Sequence, residues 1–398
     1  MGLGLLGRGI GIVKYLVEKG AKVTVTDLKT AKELKSSINE IKKFHKKIKN
    51  SKFKRQNYNS KLKIYRPEFI LGEHRINDFK NVDMVFKAAG VPFDSVYIAE
   101  AKKNGAPIFM DDALFASETD AEIIGVTGTR GKTTTSTLIA EIAKETGKKV
   151  YPHTNKTMED DFFTDRVGRN NKVRGRGRED GIGVRVYLAG NIRGAATLPF
   201  LEKVKKDDLV VLELSSWQLQ GWRDLEISPH ISVVTNIYPD HQNYYRNSMV
   251  KYVRDKEAIF ANQKKNDFLV LNKNCAWCRK FSKKAKGKVI WFSAREIPEN
   301  WKVKILGEHN LENIAAAVAV GKLLKLPLPK IKKVVENFRG VPGRLEFVRE
   351  VRGVKYYNDT TATMPEATIA ALQALAKKQK SKKANCVDLR WGGQEFRF

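Results

Sequence analysis

Cysteine is scarce: the chain has three in 398 residues. That excludes a disulfide scaffold and suits a reducing compartment, so a cytoplasmic location is expected. Two of the three, Cys275 and Cys278, form a C-x-x-C in "NCAWCRK". No second pair completes a zinc site and no thioredoxin-like context is visible, so the spacing reads as coincidence. Long apolar runs are missing as well. None reaches the roughly eighteen residues of a membrane span, and no membrane insertion is expected. The apolar start "MGLGLLGRGIGIVKYLV" is broken by Arg8 and Lys14 and lacks a small-residue cleavage site, so it is not a signal peptide. Acids are few beside bases: 44 Asp and Glu against 74 Lys and Arg, a formal charge of +30.

That excess is concentrated. Residues 31–63 hold twelve Lys or Arg and two acids. Leu34, Ile38, Ile41 and Ile48 recur there at helical spacing, which predicts an amphipathic surface helix with its charge in water. A basic face alone is a weak signal for nucleic acid, and no such partner is expected. The hydrophobic content, 42%, supports real cores, and the length allows two or three domains.

Two glycine loops stand out. In "GLGLLGRGIGIVKYLVEKGAKVTVTD", Gly2, Gly4 and Gly7 fit G-x-G-x-x-G ahead of a helix and a strand over Ala21–Thr26. Asp27 follows about twenty residues after Gly7, as in a dinucleotide fingerprint. That fingerprint needs a strand before its first glycine, and only Met1 stands there. The reading is a nucleotide phosphate near a helix start; a nicotinamide dehydrogenase would leave the second loop unused. This is "GVTGTRGKTTTS", residues 125–136. It misses the strict G-x-x-x-x-G-K-[ST] pattern, because Val126 stands where the first glycine belongs and Gly128 lies inside. Strand, glycine loop and helix nevertheless follow in the order a phosphate loop requires. Backbone N–H groups would face phosphate, Lys132 adds a charge and Thr133 offers Mg²⁺ a hydroxyl.

Strands over 82–91 and 106–111, with a helix between them, give αβ alternation and hence a parallel sheet. Apolar strands recur in "DLVVLELSSWQL", "HISVVTNIYPDH", "FLVLN" and "KVIWFS". Residues 152–185 are charged, rich in Gly and Arg, and without apolar periodicity, so they read as a flexible insertion. Their flanks, "KKVY" and "VRVYLAGN", nearly repeat, as if one strand had been split. Glu213 ends the strand "LVVLE", where a carboxylate is costly unless it holds a metal or a partner. Asp240 and His241 follow another strand, and Lys256 lies fifteen residues beyond His241. By composition alone, His241 reads equally as packed or ligating, and Lys256 as a surface lysine.

Taken together, "GVTGTRGKTTT", "AGNI", "LELSSWQL", "TNIYPDHQ", the lysine fifteen residues on, "GEHNLENIAAA" and "YYNDTTAT" resemble the Mur ligase family. These motifs span residues 2 to about 365 in the family's order, and the offset loop glycine is a family trait. "ELSSWQL" and "NDTTAT" favour the member that adds D-glutamate. The resemblance implies an α/β protein of three domains. They are a Rossmann-like UDP-binding domain (1–118), a central P-loop ATPase domain with a parallel sheet (119–337) and an incomplete Rossmann-like C-terminal domain (338–398). It implies ATP-dependent ligation of D-glutamate to UDP-N-acetylmuramoyl-L-alanine through an acyl phosphate, by a monomer. Lys132, His241 and Lys256 would be catalytic. Gly128, Thr129, Arg130, Gly131, Lys132, Thr133, Thr134, Asn313, Arg344 and Asp359 would bind ATP, with His309 and Asn310 beside them. Gly4, Leu5, Asp27, Gly90 and Asn191 would take the UDP substrate. Thr133 and Glu213 would hold one Mg²⁺, and His241 with Lys256 a second, Lys256 being carbamylated by CO₂.

The chain also departs from the family pattern. The end "RWGGQEFRF" keeps Gly392 and Gly393, but Phe396 stands where a lysine helps bind D-glutamate. Thr361 replaces a lysine often found in "NDSKAT". "NCVDLRW" is poor strand material where an apolar strand belongs. These features, with the missing first strand, read as truncation at both ends. The alternatives are another ATP-dependent amide ligase of the folylpolyglutamate synthase type and a catalytically impaired nucleotide-binding protein, including a basic RNA-associated one.

Overall fold

The computed structural model describes residues 1–5, 7–50, 63–147, 149–152, 185–192, 196–362, 365–378, 388–391 and 394–397. The body of the expected insertion (153–184), Gly392 and Gly393 lie outside the described residues.

The front unit forms because its first helix, Arg8–Glu18, buries Ile10, Val13 and Val17 on one stripe. That stripe packs on Val25, on Leu34 just ahead of the basic helix Lys35–Asn50, and on Ile38 and Ile41 of that helix's inner face. The expected amphipathic helix is therefore present, with Lys42, Lys43, Lys46 and Lys47 in water. The strand expected over Ala21–Thr26 runs over Thr24–Asp27 and pairs in parallel with Glu68–Leu71. A second parallel pair joins Val85–Phe86 to Ile108–Phe109. Met1 and Gly2 lie between the two pairs: Gly2 N donates to Thr26 O, and Ala88 N donates to Met1 O. The place of a strand ahead of the first glycine is thus held by these two residues.

The central unit is a seven-stranded parallel sheet. Its spatial order is Lys288–Phe292, Phe268–Asn272, Ile231–Val234, Glu122–Thr127, Leu209–Glu213, Arg185–Gly190, Lys149–Pro152. The inner strands are mostly apolar, as suits a sheet covered by helices on both faces. Alternate residues divide between two cores. Ile124, Val126, Leu209 and Val211 pack with the helices Lys132–Ala143 and Glu308–Leu323. Ile123, Val210 and Leu212 pack on the other side with Ser216–Asp224 and Met249–Ala261.

The near-repeat of "KKVY" and "VRVYLAGN" has a different meaning from that expected. The two are neighbouring parallel strands, with Val150 beside Val186 and Tyr151 beside Tyr187. A parallel pair needs a crossover of a dozen or more residues, so part of the intervening length is a required connection. Replacing 153–184 by a Gly/Ser linker of about fourteen residues should leave ATP binding unchanged. Joining 152 directly to 185 should instead detach the edge strand and lower thermal stability; equal melting temperatures for the two variants would contradict this topology.

Beyond Gly340 the pairs are antiparallel: Glu346–Val351 with Val354–Asn358, and Asp388–Trp391 with Gln394–Arg397. The stretch read as poor strand material therefore does contain a strand. The helix Pro365–Lys378 lies between the two hairpins in sequence.

Candidate active site

The strand Glu122–Thr127 lies at the centre of the sheet; the chain leaves it toward one edge, Lys149–Pro152, and leaves its neighbour Ile231–Val234 toward the other, Phe268–Asn272. The crevice beyond the carboxyl ends of such strands is where open α/β sheets bind ligands. Val126 is buried in that strand and pairs with Glu213, which explains the offset pattern: the loop starts only at Gly128. Gly128 has φ +149 and Gly131 has φ +79. A Cβ at Gly128 would overlap Thr235 Oγ1, and one at Gly131 would overlap Asn313 Oδ1. Close approach, as well as backbone freedom, fixes glycine at both places.

Gly131 opens the helix Lys132–Ala143, whose first N–H groups face the crevice. Lys132 Nζ donates to Gly128 O at 3.0 Å and Thr129 O at 3.1 Å. Burial lowers its pKa, while the nearby Glu213 carboxylate opposes the shift. Thr133 Oγ1 accepts from Arg344 Nη2 at 3.1 Å, and Thr134 is buried in the same turn.

Glu213 ends its strand 3% exposed. Its Oε1 accepts from Asn191 Nδ2 at 3.1 Å, and Asn191 N donates to Glu213 O. Its Oε2 is buried with no hydrogen-bond partner. An orphaned carboxylate oxygen beside a phosphate-type loop fits a divalent cation, which would supply the missing partner. No group of three His, Cys, Asp or Glu side chains able to enclose a metal is found among the described residues. That suits Mg²⁺, which is commonly held by one or two carboxylates, phosphate oxygens and water. Asn191→Ala should weaken Mg²⁺ binding about 10- to 100-fold by freeing Glu213. A Mg²⁺ titration of activity checks this, and an unchanged midpoint would contradict the role given to Asn191.

The loop after Ile231–Val234 grips the phosphate loop. Thr129 N donates to Asn236 O and Arg130 N to Asn236 Oδ1, both at 2.8 Å. Thr235 Oγ1 donates to Arg130 O at 2.6 Å, and Tyr238 N donates to Thr129 Oγ1 at 2.9 Å. Further along, His241 has φ +53, a conformation uncommon outside glycine. Its ring lies 4.6 Å from that of Trp217, and burial lowers its pKa. Asp240 is 3.8 Å from both Arg130 and His241.

Lys256 is not the surface lysine its composition suggests. It is 1% exposed on the helix Met249–Ala261, and its Nζ donates to Gly128 O at 2.9 Å. Burial, and secondly the Lys132 charge, hold its pKa well below the usual lysine value. Gln220 Nε2, Arg223 Nη1 and Tyr245 Oη all donate to the neighbouring Asp255, which locks this helix to Ser216–Asp224.

On the other side of the loop, buried Asn313 accepts from Thr135 Oγ1 and donates to Asn310 Oδ1. Leu345 N donates to Asp359 Oδ1 at 2.9 Å; burial raises the Asp359 pKa and lowers that of His309. Thr361 Oγ1 donates to Gly343 O, next to Arg344, so it braces the turn from which Arg344 reaches Thr133.

In the front unit Gly4 N donates to Asp27 Oδ2 and Lys29 N to Asp27 Oδ1. Asp27 thereby shapes the first glycine loop. Leu5 is exposed on that loop. Gly90 lies between Ala88 and Val91, which pack over Gly2. Arg8 Nη2 donates to Gly190 O at 2.7 Å, bringing this unit against the strand that leads to Asn191. The structure thus gathers the phosphate-loop residues, Glu213, Asn191, His241, Lys256, Asn313 and Arg344 at one sheet edge. Gly4, Leu5, Asp27 and Gly90 form a separate cluster. Thr235, Asn236 and Asp255 were missed; their only sequence signal is position, just after a strand or beside Lys256.

A family profile described as the Mur ligase middle domain matches residues 126–302. The chain is 33% identical over 407 aligned residues to the UDP-N-acetylmuramoylalanine–D-glutamate ligase of Borreliella burgdorferi (strain ZS7). The alignment covers 97% of this chain and 75% of that protein. The enzyme of the same name from Roseiflexus sp. (strain RS-1) is 32% identical, with 94% and 74% covered. Among solved structures, a UDP-N-acetylmuramate:L-alanyl-gamma-D-glutamyl-meso-diaminopimelate ligase from Neisseria meningitides has a TM-score of 0.51 at 14% identity, covering 85% of this chain and 97% of that one. The UDP-N-acetylmuramate–alanine ligase of Thermotoga maritima has a TM-score of 0.50 at 19% identity, covering 96% and 78%. Both structures share the fold.

Proposed function

Because the chain belongs to the Mur ligase family, among its D-glutamate-adding members, we propose that it joins UDP-N-acetylmuramoyl-L-alanine to D-glutamate with hydrolysis of ATP. The observation that carries this reading at the site is the orphaned oxygen of Glu213, on the strand beside the one that leads into the glycine loop and near Lys132. A carboxylate is a poor acyl donor, so the γ-phosphoryl group is first transferred to it. The amine of D-glutamate then attacks the acyl phosphate, and phosphate leaves. The protein's work is to position anions and to match the charge that develops.

The N–H groups of 128–134 take the ATP phosphates, and Lys132 turns from Gly128 O and Thr129 O toward them. Mg²⁺, held by Thr133 and Glu213, would neutralise charge on the transferring phosphoryl group. Asn313, Arg344 and Asp359, with His309 and Asn310, line the nucleoside side. Gly4, Leu5, Asp27 and Gly90 receive the uridine diphosphate, and Asn191 lies toward the muramoyl end. Lys256 is the second cationic side chain at the loop. A buried amine with a lowered pKa is a competent nucleophile toward CO₂, and the resulting carbamate would give a second Mg²⁺ an oxygen ligand beside His241. Among the described residues no helix is long and apolar enough to cross a membrane. With nucleotide-linked substrates, we place the reaction in the cytoplasm and expect a monomer.

Labelled D-glutamate tests the assignment. It should enter a UDP-linked product only when ATP, Mg²⁺ and UDP-N-acetylmuramoyl-L-alanine are all present. Incorporation of L-glutamate onto a folate in its place would point to the folylpolyglutamate type instead.

A further inference from the structure

The C-x-x-C has a context that its sequence did not reveal. Cys275 follows the strand Phe268–Asn272, Cys278 lies in the helix Ala276–Ser282, and the strand Lys288–Phe292 returns in parallel. This is a β-α-β unit with a dithiol at its first turn, a setting in which such pairs exchange disulfides. The start of that helix ties the pair together: Cys278 N donates to Cys275 Sγ at 3.3 Å. Hydrogen bonding from Cys278 holds the Cys275 thiol down at about 6, and Cys275, with burial, pushes the Cys278 thiol up. Cys275 is 8% exposed and Cys278 0%, so Cys275 meets an incoming reagent first.

Ile237 lies between the two residues that clamp the phosphate loop. Asn236 takes the N–H groups of Thr129 and Arg130, and Tyr238 N donates to Thr129 Oγ1. Cys278 Sγ approaches Val234 O at 3.9 Å, at the root of the same loop. We propose that Cys275 and Cys278 form a thiol–disulfide exchange site that sets nucleotide affinity through the loop Val234–Tyr238. The proposal rests on the nucleotide reading of the glycine loop.

The chemistry needs a low-molecular-weight disulfide, RSSR, as oxidant. The Cys275 thiolate attacks one of its sulfurs; the S–S bond breaks and RS⁻ leaves, taking a proton from water. The Cys278 thiol gives its proton to water, and its sulfur attacks Cys275 Sγ in the mixed disulfide. A second RS⁻ leaves. Two protein thiols are oxidised and one disulfide is reduced to two thiols. Cys278 then has no S–H to donate to Val234 O, at the root of the loop whose Asn236 holds Arg130. Loss of that bond predicts ATP binding weaker by about tenfold in the oxidised chain.

The test uses the full chain carrying Cys386→Ser, so that only this pair remains. It is equilibrated with glutathione disulfide, and the peptide containing both cysteines is weighed after alkylation. ATP affinity is measured before oxidation, after it, and after reduction. The expected result is loss of two hydrogens, a roughly tenfold rise in Kd, and reversal by dithiothreitol. Cys275→Ser should bind ATP and ignore the oxidant, whereas Cys278→Ser should stop at a mixed disulfide carrying one glutathione, with its Kd for ATP unchanged. Failure to form the intramolecular disulfide overturns the exchange site whatever ATP does. A disulfide without a change in Kd overturns the control of affinity. A reduced chain that binds no ATP, with the disulfide still forming, contradicts the nucleotide reading and leaves the exchange site standing without its proposed output.

Discussion

Lys256→Ala lowers ligation by about a thousandfold or more, and a short carboxylate such as acetate restores part of it. The effect follows from where the amine stands. Its Nζ bonds Gly128 O inside the phosphate loop, and burial favours its neutral form. The pH dependence has a definite sign. Only the neutral amine takes up CO₂, so carbamate formation rises with pH through the folded-state pKa. Because that pKa is lowered, uptake is complete at a lower pH than for an exposed lysine. The same depression makes stability rise with pH between the folded value and the usual lysine value, where the unfolded chain binds the extra proton. Carbon-13 spectra with labelled bicarbonate should show a carbamate that Lys256→Ala removes. Full activity in that variant would sink the role of Lys256.

Glu213→Gln produces the second large effect, a loss of about a hundred- to a thousandfold in kcat. The substitution keeps the shape and the bond from Asn191 but removes the charge from an oxygen that has no other partner. Relief of that buried charge should leave the Mg²⁺-free chain as stable as before, or more stable by about 1 kcal/mol. The combination separates a metal ligand from a structural carboxylate. Lost activity together with a falling melting temperature in the absence of Mg²⁺ would indicate the structural role.

Much of this was legible in the sequence because the signals are local. Apolar runs marked the central strands, and Glu213 stood out as a charge at the end of one. Glycine spacing marked both loops, although the reason for Val126 in place of glycine is its pairing with Glu213 in the strand. The features that were missed depend on distant pairing. Asn236 and Thr235 meet the phosphate loop across more than a hundred residues of sequence. The flanks of 153–184 resemble each other because they are neighbours in one sheet, which a reading along the chain took for a split strand. The strand Glu68–Leu71 follows a basic, irregular stretch and gave no alternating pattern. The role of Lys256 came from the resemblance alone, and its burial was not foreseen, since nothing in "RDKEAIF" distinguishes it from a surface lysine.

The central claim is that one carboxyl group is activated by ATP at the glycine loop and captured by D-glutamate. It is tested most directly by phosphate release from ATP, with UDP-N-acetylmuramoyl-L-alanine present and D-glutamate added or withheld. The account predicts sustained release only when both are present, and none from Lys132→Ala. Release that ignores either substrate, or that persists in Lys132→Ala, would contradict it.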